Sequence, residues 1–246
     1  MSEPEEILVF FEKEIEEVLS LASKLKFDSS HVLHQHVVGL YGSIIELSSS
    51  IKVLYKSGHF SAIPVILRTI LEAFVDLRNL CQDHKYGYSL TMNTSKESLK
   101  FLKAAKDDMN VYAEMIASDP DIDNHITKFY EEIKILKDKG IKEIRIKEKF
   151  EQASMASEYQ TIYHMLCAAT HNDIRALRAR HLVISDGSFT FEIFKNEDKE
   201  AMCDFLGIAS ELLLRATYEI HGLLNSGKDN ELQSLRKELN NIRGDA

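Results

Sequence analysis

Tryptophan is absent from this 246-residue chain, proline occurs only three times and glycine ten times, so few positions force the backbone to break. Long helices are favoured, with disorder confined to the ends. Cysteine is scarce as well: Cys81, Cys167 and Cys203 are scattered through apolar periodic segments, whereas a disulfide-stapled secreted domain carries an even, dense set. No uncharged apolar run reaches about eighteen residues, because Arg68, Glu72 and Asp76 interrupt the best candidate. The acidic start, MSEPEEILVFFEKEIEEV, lacks the basic flank and apolar core of a signal peptide. These absences predict a soluble, cytoplasmic protein without a membrane partner. Surplus positive charge is missing too: the formal net charge is −9, which excludes broad attraction to DNA or anionic lipid.

Hydrophobic residues make up 44% of the chain and charged residues 28%, ample for a core. Residues 4–26 place Ile7, Phe10, Phe11, Ile15, Val18, Leu19 and Ala22 at helical spacing behind Pro4 and an acidic first turn. Asp28, Ser29 and Ser30 offer a cap for a second helix to about Lys56. A third, from about Phe60 to Asp83, is apolar around most of its circumference and therefore central. Asn93, Thr94 and Ser95 suggest a cap for a fourth helix through about Ala117, and a fifth runs from Pro120 to about Lys139. IKEIRIKEKF has no clear period; helical spacing returns from Phe150 to Ala169 and continues through Arg180. In HLVISDGSFTFEIF, β-branched and aromatic residues flank Asp186 and Gly187, the signal of a tight hairpin. Residues 197–224 form another long helix, and 228–246 a charged, partly frayed one. The expectation is one all-α domain over 1–246, a multi-helix bundle with a small inserted β-hairpin at 181–194.

Arg68 and Glu72 lie four apart, on one face of the central helix, and Asp76 and Asn79 extend that face. The pair fits three readings: a solvated surface ion pair, a buried pair that fixes packing, or a ligand site in which Arg68 holds an anionic group and Glu72 orients it or accepts a proton. YHMLCAATHND supplies polar groups in a second apolar setting, Tyr163 and His171 first among them, with Asn172, Asp173, Arg175 and Arg178 as further ligand contacts. On a continuous helix His164, Cys167 and His171 form a narrow stripe with metal-ligating side chains, though a buried cysteine between two satisfied histidines explains the same spacing. Two basic clusters, Arg175 to His181 and Lys134 to Lys149, are the local patches able to meet phosphate. Gly-rich phosphate loops, nucleophile elbows, paired-cysteine zinc frameworks and EF-hand loops are missing, so no cofactor is called for.

LRTILEAF and YHMLCAATH together resemble a widespread bacterial family of helical proteins of unknown function, marked by R-x-x-x-E and then Y-x-x-L-S-x-x-x-H. Arg68 and Glu72 match the first motif; Tyr163, Leu166 and His171 match the second, with Cys167 where the family tends to have serine. The resemblance spans roughly residues 40–224 and implies no substrate. RNLCQDH, from Arg78 to His84, is also similar to the R-x(4–6)-H motif of HEPN domains, helical dimers that often cleave RNA without metal. That resemblance implies His84 as acid or base at the ribose hydroxyl, Arg78 stabilising charge at phosphorus, and RNA as partner. Six positions turn the two residues about 120° apart on a continuous helix, so a shared site requires the helix to end near Leu80. Three functions follow: a ligand-binding or catalytic polar cluster in a stress or phage-defence setting, a HEPN-like ribonuclease, or a homodimeric interaction scaffold in which the cluster serves packing.

Overall fold

A computed structural model describes residues 4–107, 113–171, 173–185, 187–195 and 198–244. Two compact units emerge, one built from the chain up to Gln82 together with Phe150 onward, the other from Asp83–Lys149. Because the second is inserted within the first, the chain crosses between them twice, and neither crossing is marked by a Pro- or Gly-rich linker.

In the first unit, α1 (Pro4–Ala22), α2 (Val32–Lys56), α3 (Ile63–Gln82) and α11 (Lys199–Leu223) form the body. Helix α3, preceded by a 3-10 turn at Phe60–Ala62, packs against both α2 and α11. Pro64 is tolerated at its start because the N–H that proline lacks would have no intrahelical acceptor there. Ile63, Leu67, Ile70, Leu71, Phe74, Val75 and Leu77 are essentially solvent-free, which accounts for the nearly all-round apolarity of the segment. The stripe on α2 runs through Leu33, Val37, Tyr41, Ile44, Ile45, Ser48 and Ile51, and the Tyr41 hydroxyl reaches Thr217 Oγ1 on α11 at 3.1 Å. By length and composition alone α2 is apolar enough to cross a membrane, and one third of its most apolar window is buried within this fold. Asp28 does not cap it; its carboxylate accepts the backbone N–H of Ser30 in a local turn, and α2 starts at Val32. On α1, Leu21 rather than Leu19 faces inward.

The terminal helix α12 (Asp229–Arg243) is docked, not frayed: Leu232, Leu235 and Leu239 pack with Phe10, Leu21 and Leu214. Gly244 closes it in the left-handed conformation that favours glycine. Arg236 and Arg243 both reach Glu211 on α11, at 2.5 and 3.1 Å.

From Phe150 onward the first unit is more broken than its spacing suggests. Short α7 (Ile146–Gln152), which crosses from the second unit, gives way at Ser154, whose φ of 56° breaks the helix without glycine. The chain resumes as α8 (Ala156–Glu158), a π-helical turn (Tyr159–Tyr163), α9 (His164–Thr170) and α10 (Ile174–His181). Strands β1 (Leu182–Ser185) and β2 (Ser188–Phe191) pair antiparallel, Ser185 opposite Ser188, as the hairpin signal predicts. Asp186 of that turn lies outside the described residues; Gly187 has the positive φ, 77°, that the turn demands.

In the inserted unit α4 (Tyr86–Asp107) packs against α5 (Glu114–Ala117) and α6 (Ile122–Asp138) around Met92, Ile133 and Leu136. Helix α4 starts a full two turns before the expected cap, because Asn93 has another task. Its side-chain amide donates to Ile144 O at 2.7 Å and its oxygen accepts from Ile144 N at 3.1 Å, clamping the aperiodic 141–145 segment to the helix.

One buried group opposes the apolar trend. Glu14 is fully buried on α1, accepts a hydrogen bond from Ser210 on α11, and leaves Oε1 without a partner among the described residues. Burial holds its carboxyl well above the usual range; Ser210 works against that shift, as do Arg236 and Arg243 of α12, while Glu211 of α11 adds to it. A carboxyl raised on folding contributes stability that is complete below its unfolded pKa, about 4.5, and is lost as pH rises through the folded value. Glu14→Gln should remove that loss. Denaturant unfolding of both proteins from pH 4 to 8 should show the variant gaining on wild type as pH rises; a constant difference would mean that Glu14 does not titrate differently in the two states.

Candidate functional site

The predicted Arg68, Glu72, Tyr163 and His171 meet in the first unit. Helices α3 and α9 pack together and bring both motifs to one place. Arg68 Nε lies 3.0 Å from Glu72 Oε1, one turn along α3. Both atoms are shielded from solvent, yet their alignment falls short of a hydrogen bond, so the pair attracts mainly as charges. From the guanidinium, Nη2 donates to the Tyr163 hydroxyl at 3.3 Å, and Nη1 approaches His171 Nε2 at 3.5 Å. The same group also lies 5.5 Å from the centre of the Tyr163 ring, within cation–π range. For Arg68 to donate to it, Nε2 of His171 must carry its lone pair, which puts the ring proton on Nδ1.

Tyr163 is held from behind by aromatic neighbours. Its ring stacks on Tyr159 at 5.3 Å and tilts against Phe150 at 5.0 Å. Neither residue was singled out from the sequence, although the i, i+4 spacing of Tyr159 and Tyr163 was there to be read. The π-helical turn widens the helix at this stack, a distortion found often at functional sites. Burial is the main reason that the Tyr163 phenol is pushed above its ordinary range; the Arg68 hydrogen bond opposes it, and Glu72 and Cys167 reinforce it. The phenol therefore stays protonated. Its oxygen accepts from Arg68, and the Cys167 side chain is a second hydrogen-bonding neighbour of the hydroxyl.

The cluster is open to solvent. Tyr163 is buried, the side chains of Arg68 and Glu72 are 21% and 37% exposed, and His171 is exposed just past the end of α9. Other predicted contacts are placed differently. Asn172 lies outside the described residues. Asp173 caps α10, accepting Arg175 N at 2.9 Å and Arg175 Nε at 3.3 Å, so its carboxylate serves the helix start. Arg175 and Arg178 project outward from α10. Along the proposed metal stripe, His164 turns its ring edge to Tyr159 at 4.9 Å while His171 faces Arg68, and no group of three metal-ligating side chains forms among the described residues. Of the basic clusters, Lys134 to Lys149 contributes Lys137, Lys142 and Arg145 to a cleft of about 430 Å³ in the inserted unit, where Lys96 is paired with Glu143.

Arg78 is engaged internally. Its Nε donates to Ala153 O at 2.8 Å and its Nη1 to Glu219 at 3.1 Å, while Arg215 nearby reaches Glu158 at 3.6 Å and stacks on Phe74. Helix α3 runs on to Gln82, beyond the Leu80 end that a shared Arg78 and His84 site requires, and His84 is exposed in the following turn. Arg78 thus ties α3 to α11 and to the break at residues 153–155. Arg78→Ala should cost roughly 1–3 kcal/mol, discounted from the fully buried case because both side chains are about a quarter exposed. Thermal unfolding should drop by several degrees; an unchanged melting temperature would release Arg78 from this structural duty.

No curated protein and no solved structure matches the chain. A family model does, over residues 34–189, from early α2 to within β2. That segment carries all four residues of the cluster but stops short of the 224 boundary expected from the motifs, leaving α11 and its Glu219 outside. On this match the chain belongs to a family of unknown function, DUF5677.

Proposed function

We propose that the cluster of Arg68, Glu72, Tyr163 and His171 binds the anionic group of a small ligand, a carboxylate or phosphate, with His171 placed to exchange a proton with it. The observation that carries this reading is the pair of long contacts, 3.3 and 3.5 Å, from one guanidinium to a phenol and an imidazole on a distant segment. Contacts of that length are near the limit for hydrogen bonds, so they hold the guanidinium weakly and leave its outer N–H groups able to turn to a bridging oxygen. A purely structural cluster buried for packing has no need of an exposed imidazole. Arg68 supplies a planar fork of donors and Glu72 holds that fork in place. Tyr163 adds a neutral O–H donor. The three free thiols suit the reducing cytoplasm in which we place this activity.

The test follows the His171 imidazole resonances by NMR while inorganic phosphate, and separately acetate, is titrated to tens of millimolar. One of the two should shift those resonances saturably and raise the melting temperature through linkage. Arg68→Lys keeps the charge and loses the fork, so it should stay folded and weaken the response at least about tenfold, or roughly 1.4 kcal/mol. If neither anion moves the His171 signals, or Arg68→Lys responds as wild type does, the anion-site reading is wrong. Should Arg68→Lys instead lose its cooperative melt, the cluster is structural.

A further inference from the structure

The cleft in the inserted unit holds more positive charge than its own carboxylates can answer. Lys96 on α4, Lys137 on α6, and Lys142 and Arg145 just after it line the space of about 430 Å³, together with Glu143 and Glu148. Both carboxylates are already committed. Glu143 pairs with Lys96, and Glu148 accepts the backbone N–H of Arg145 at 2.7 Å, where α7 begins. The side chains of Lys137, Lys142 and Arg145 have no carboxylate within salt-bridge distance among the described residues. Nor are they needed to close α6. Its late carbonyls are met by the backbone of the turn itself, Leu136 O by Ile141 N at 3.0 Å and Lys137 O by Gly140 N at 2.8 Å. Gly140 supplies the positive φ, 74°, that this closure requires. That turn at one end and the Asn93 clamp on Ile144 at the other fix the 141–145 backbone, so the three cations are presented from a rigid frame.

We infer that this cleft binds a small organic phosphate, with Lys137, Lys142 and Arg145 around the phosphoryl oxygens and the carbon skeleton against Met92 and Ile141. Four cations against two carboxylates leave two positive charges in the lining. A phosphate monoester brings about −1.5 to −2 at pH 7 with three strong acceptor oxygens, whereas a carboxylate answers only half of that excess. Arg145 offers a planar fork to two oxygens, and each lysine adds a compact charge. The volume lies within the roughly 300–1,000 Å³ of small-molecule sites. Met92 and Ile141 make part of the wall apolar, a surface that a bare inorganic anion leaves unused. Charge on the larger scale does not oppose the anion. Asp83–Lys149 contains thirteen basic and thirteen acidic residues, so the whole −9 belongs to the first unit. A nucleic-acid strand fits less well, because it needs a basic track along its backbone, and the basic run gives way to Asp119, Asp121 and Asp123 at the other end of α6. The cleft shares no residue with the Arg68 cluster, and its ligand does not depend on what that cluster binds.

Methionine-methyl NMR of the full chain reads the cleft through Met92, with phenyl phosphate as the probe. It should shift the Met92 methyl saturably below about 10 mM, with inorganic phosphate at least about threefold weaker and phenol inactive. Lys137→Gln with Lys142→Gln should weaken phenyl phosphate at least about tenfold, with the melting temperature unchanged because both side chains are exposed and unpaired. Lys134→Gln, on the same helix but outside the cleft, and Arg68→Lys, in the first unit, should bind as wild type does. Raising sodium chloride from about 50 to about 500 mM should weaken wild-type binding severalfold, a readout that needs no substitution. The inference is overturned by a Met92 signal that phenyl phosphate does not move, by a response indifferent to salt, or by a loss in Lys134→Gln equal to that of the double variant. Phenol or inorganic phosphate binding as tightly as phenyl phosphate overturns it too, by removing the phosphate or the carbon skeleton from recognition. A response lost in Arg68→Lys belongs to the other cluster and equally ends the assignment.

Discussion

A guanidinium that cannot shed its proton sits on a central helix with a large buried apolar surface, and the structure around residues 63–82 and 156–171 places polar groups against it. Arg68 projects from α3 beside the fully buried Leu67 and Leu71 and is itself only 21% exposed, so its shielded donors need partners from elsewhere in the chain. Glu72 supplies the counter-charge from the same helix, its Oε1 3.0 Å from Nε, while acceptors must come from further away. They come from Tyr163 and His171, eight positions apart, about 12 Å along a straight helix. Two groups so far apart reach neighbouring nitrogens of one guanidinium because a long phenol extends from within the helix and an imidazole closes in where the helix has ended. The packing of α9 on α3 and the termination of α9 at Thr170 are in this sense parts of one arrangement.

Helix α3 carries two arginine systems of different character. Arg68 and Arg78 are ten residues apart, so they point roughly 80° from each other around the axis. Arg78 meets a backbone carbonyl and the Glu219 carboxylate, acceptors that hold a cation in place and offer nothing further to a ligand. Burial raises the Glu219 carboxyl while Arg78 and Arg215 lower it, the mixed balance expected of a partly enclosed charge network. Arg68 meets two rings whose own polar atoms remain able to bond elsewhere. The two short sequence patterns, R-x-x-x-E and R-x-x-x-x-x-H, both read as functional in one dimension. What separates them is the chemistry of the acceptors, and that depends on which distant segment packs against each face of α3.

Much of the fold and the core of the site were legible because they rest on periodicity. The i, i+4 spacing of Arg68 and Glu72, and a tyrosine and histidine in an apolar run, fixed which groups needed partners before any contact was known. The hairpin was legible because Asp-Gly between β-branched runs admits few other conformations. Breaks without glycine or proline were not. Ser154 takes a positive φ that serine seldom adopts, so nothing local announces the end of α7, and the π-helical turn at 159–163 has the composition of an ordinary helix. Asn93 looked like a cap because asparagine favours caps; its actual partner, the Ile144 peptide, lies fifty-one positions away and is invisible to local reasoning. Glu14 carried a readable signal that spacing alone could flag, since it falls seven residues from Ile7 on the apolar stripe of α1. The inserted unit stayed hidden because an all-helical insertion changes neither period nor composition at its boundaries.

The orientation of donors, more than net charge, decides what chemistry the open cluster favours. Arg68 and Glu72 cancel formally, and Tyr163 is kept neutral by burial. Glu72 lies against Nε, at the base of the guanidinium, while the outer nitrogens face Tyr163 and His171. The carboxylate therefore neutralises the arginine from behind and leaves the donor-rich edge forward. That edge presents the outer N–H groups beside the Tyr163 hydroxyl and the His171 imidazole. A cation approaching that edge would face the guanidinium without direct access to the carboxylate behind it. The same sequence order that places Glu72 one turn after Arg68 on α3 thus gives the site both its stability and its polarity.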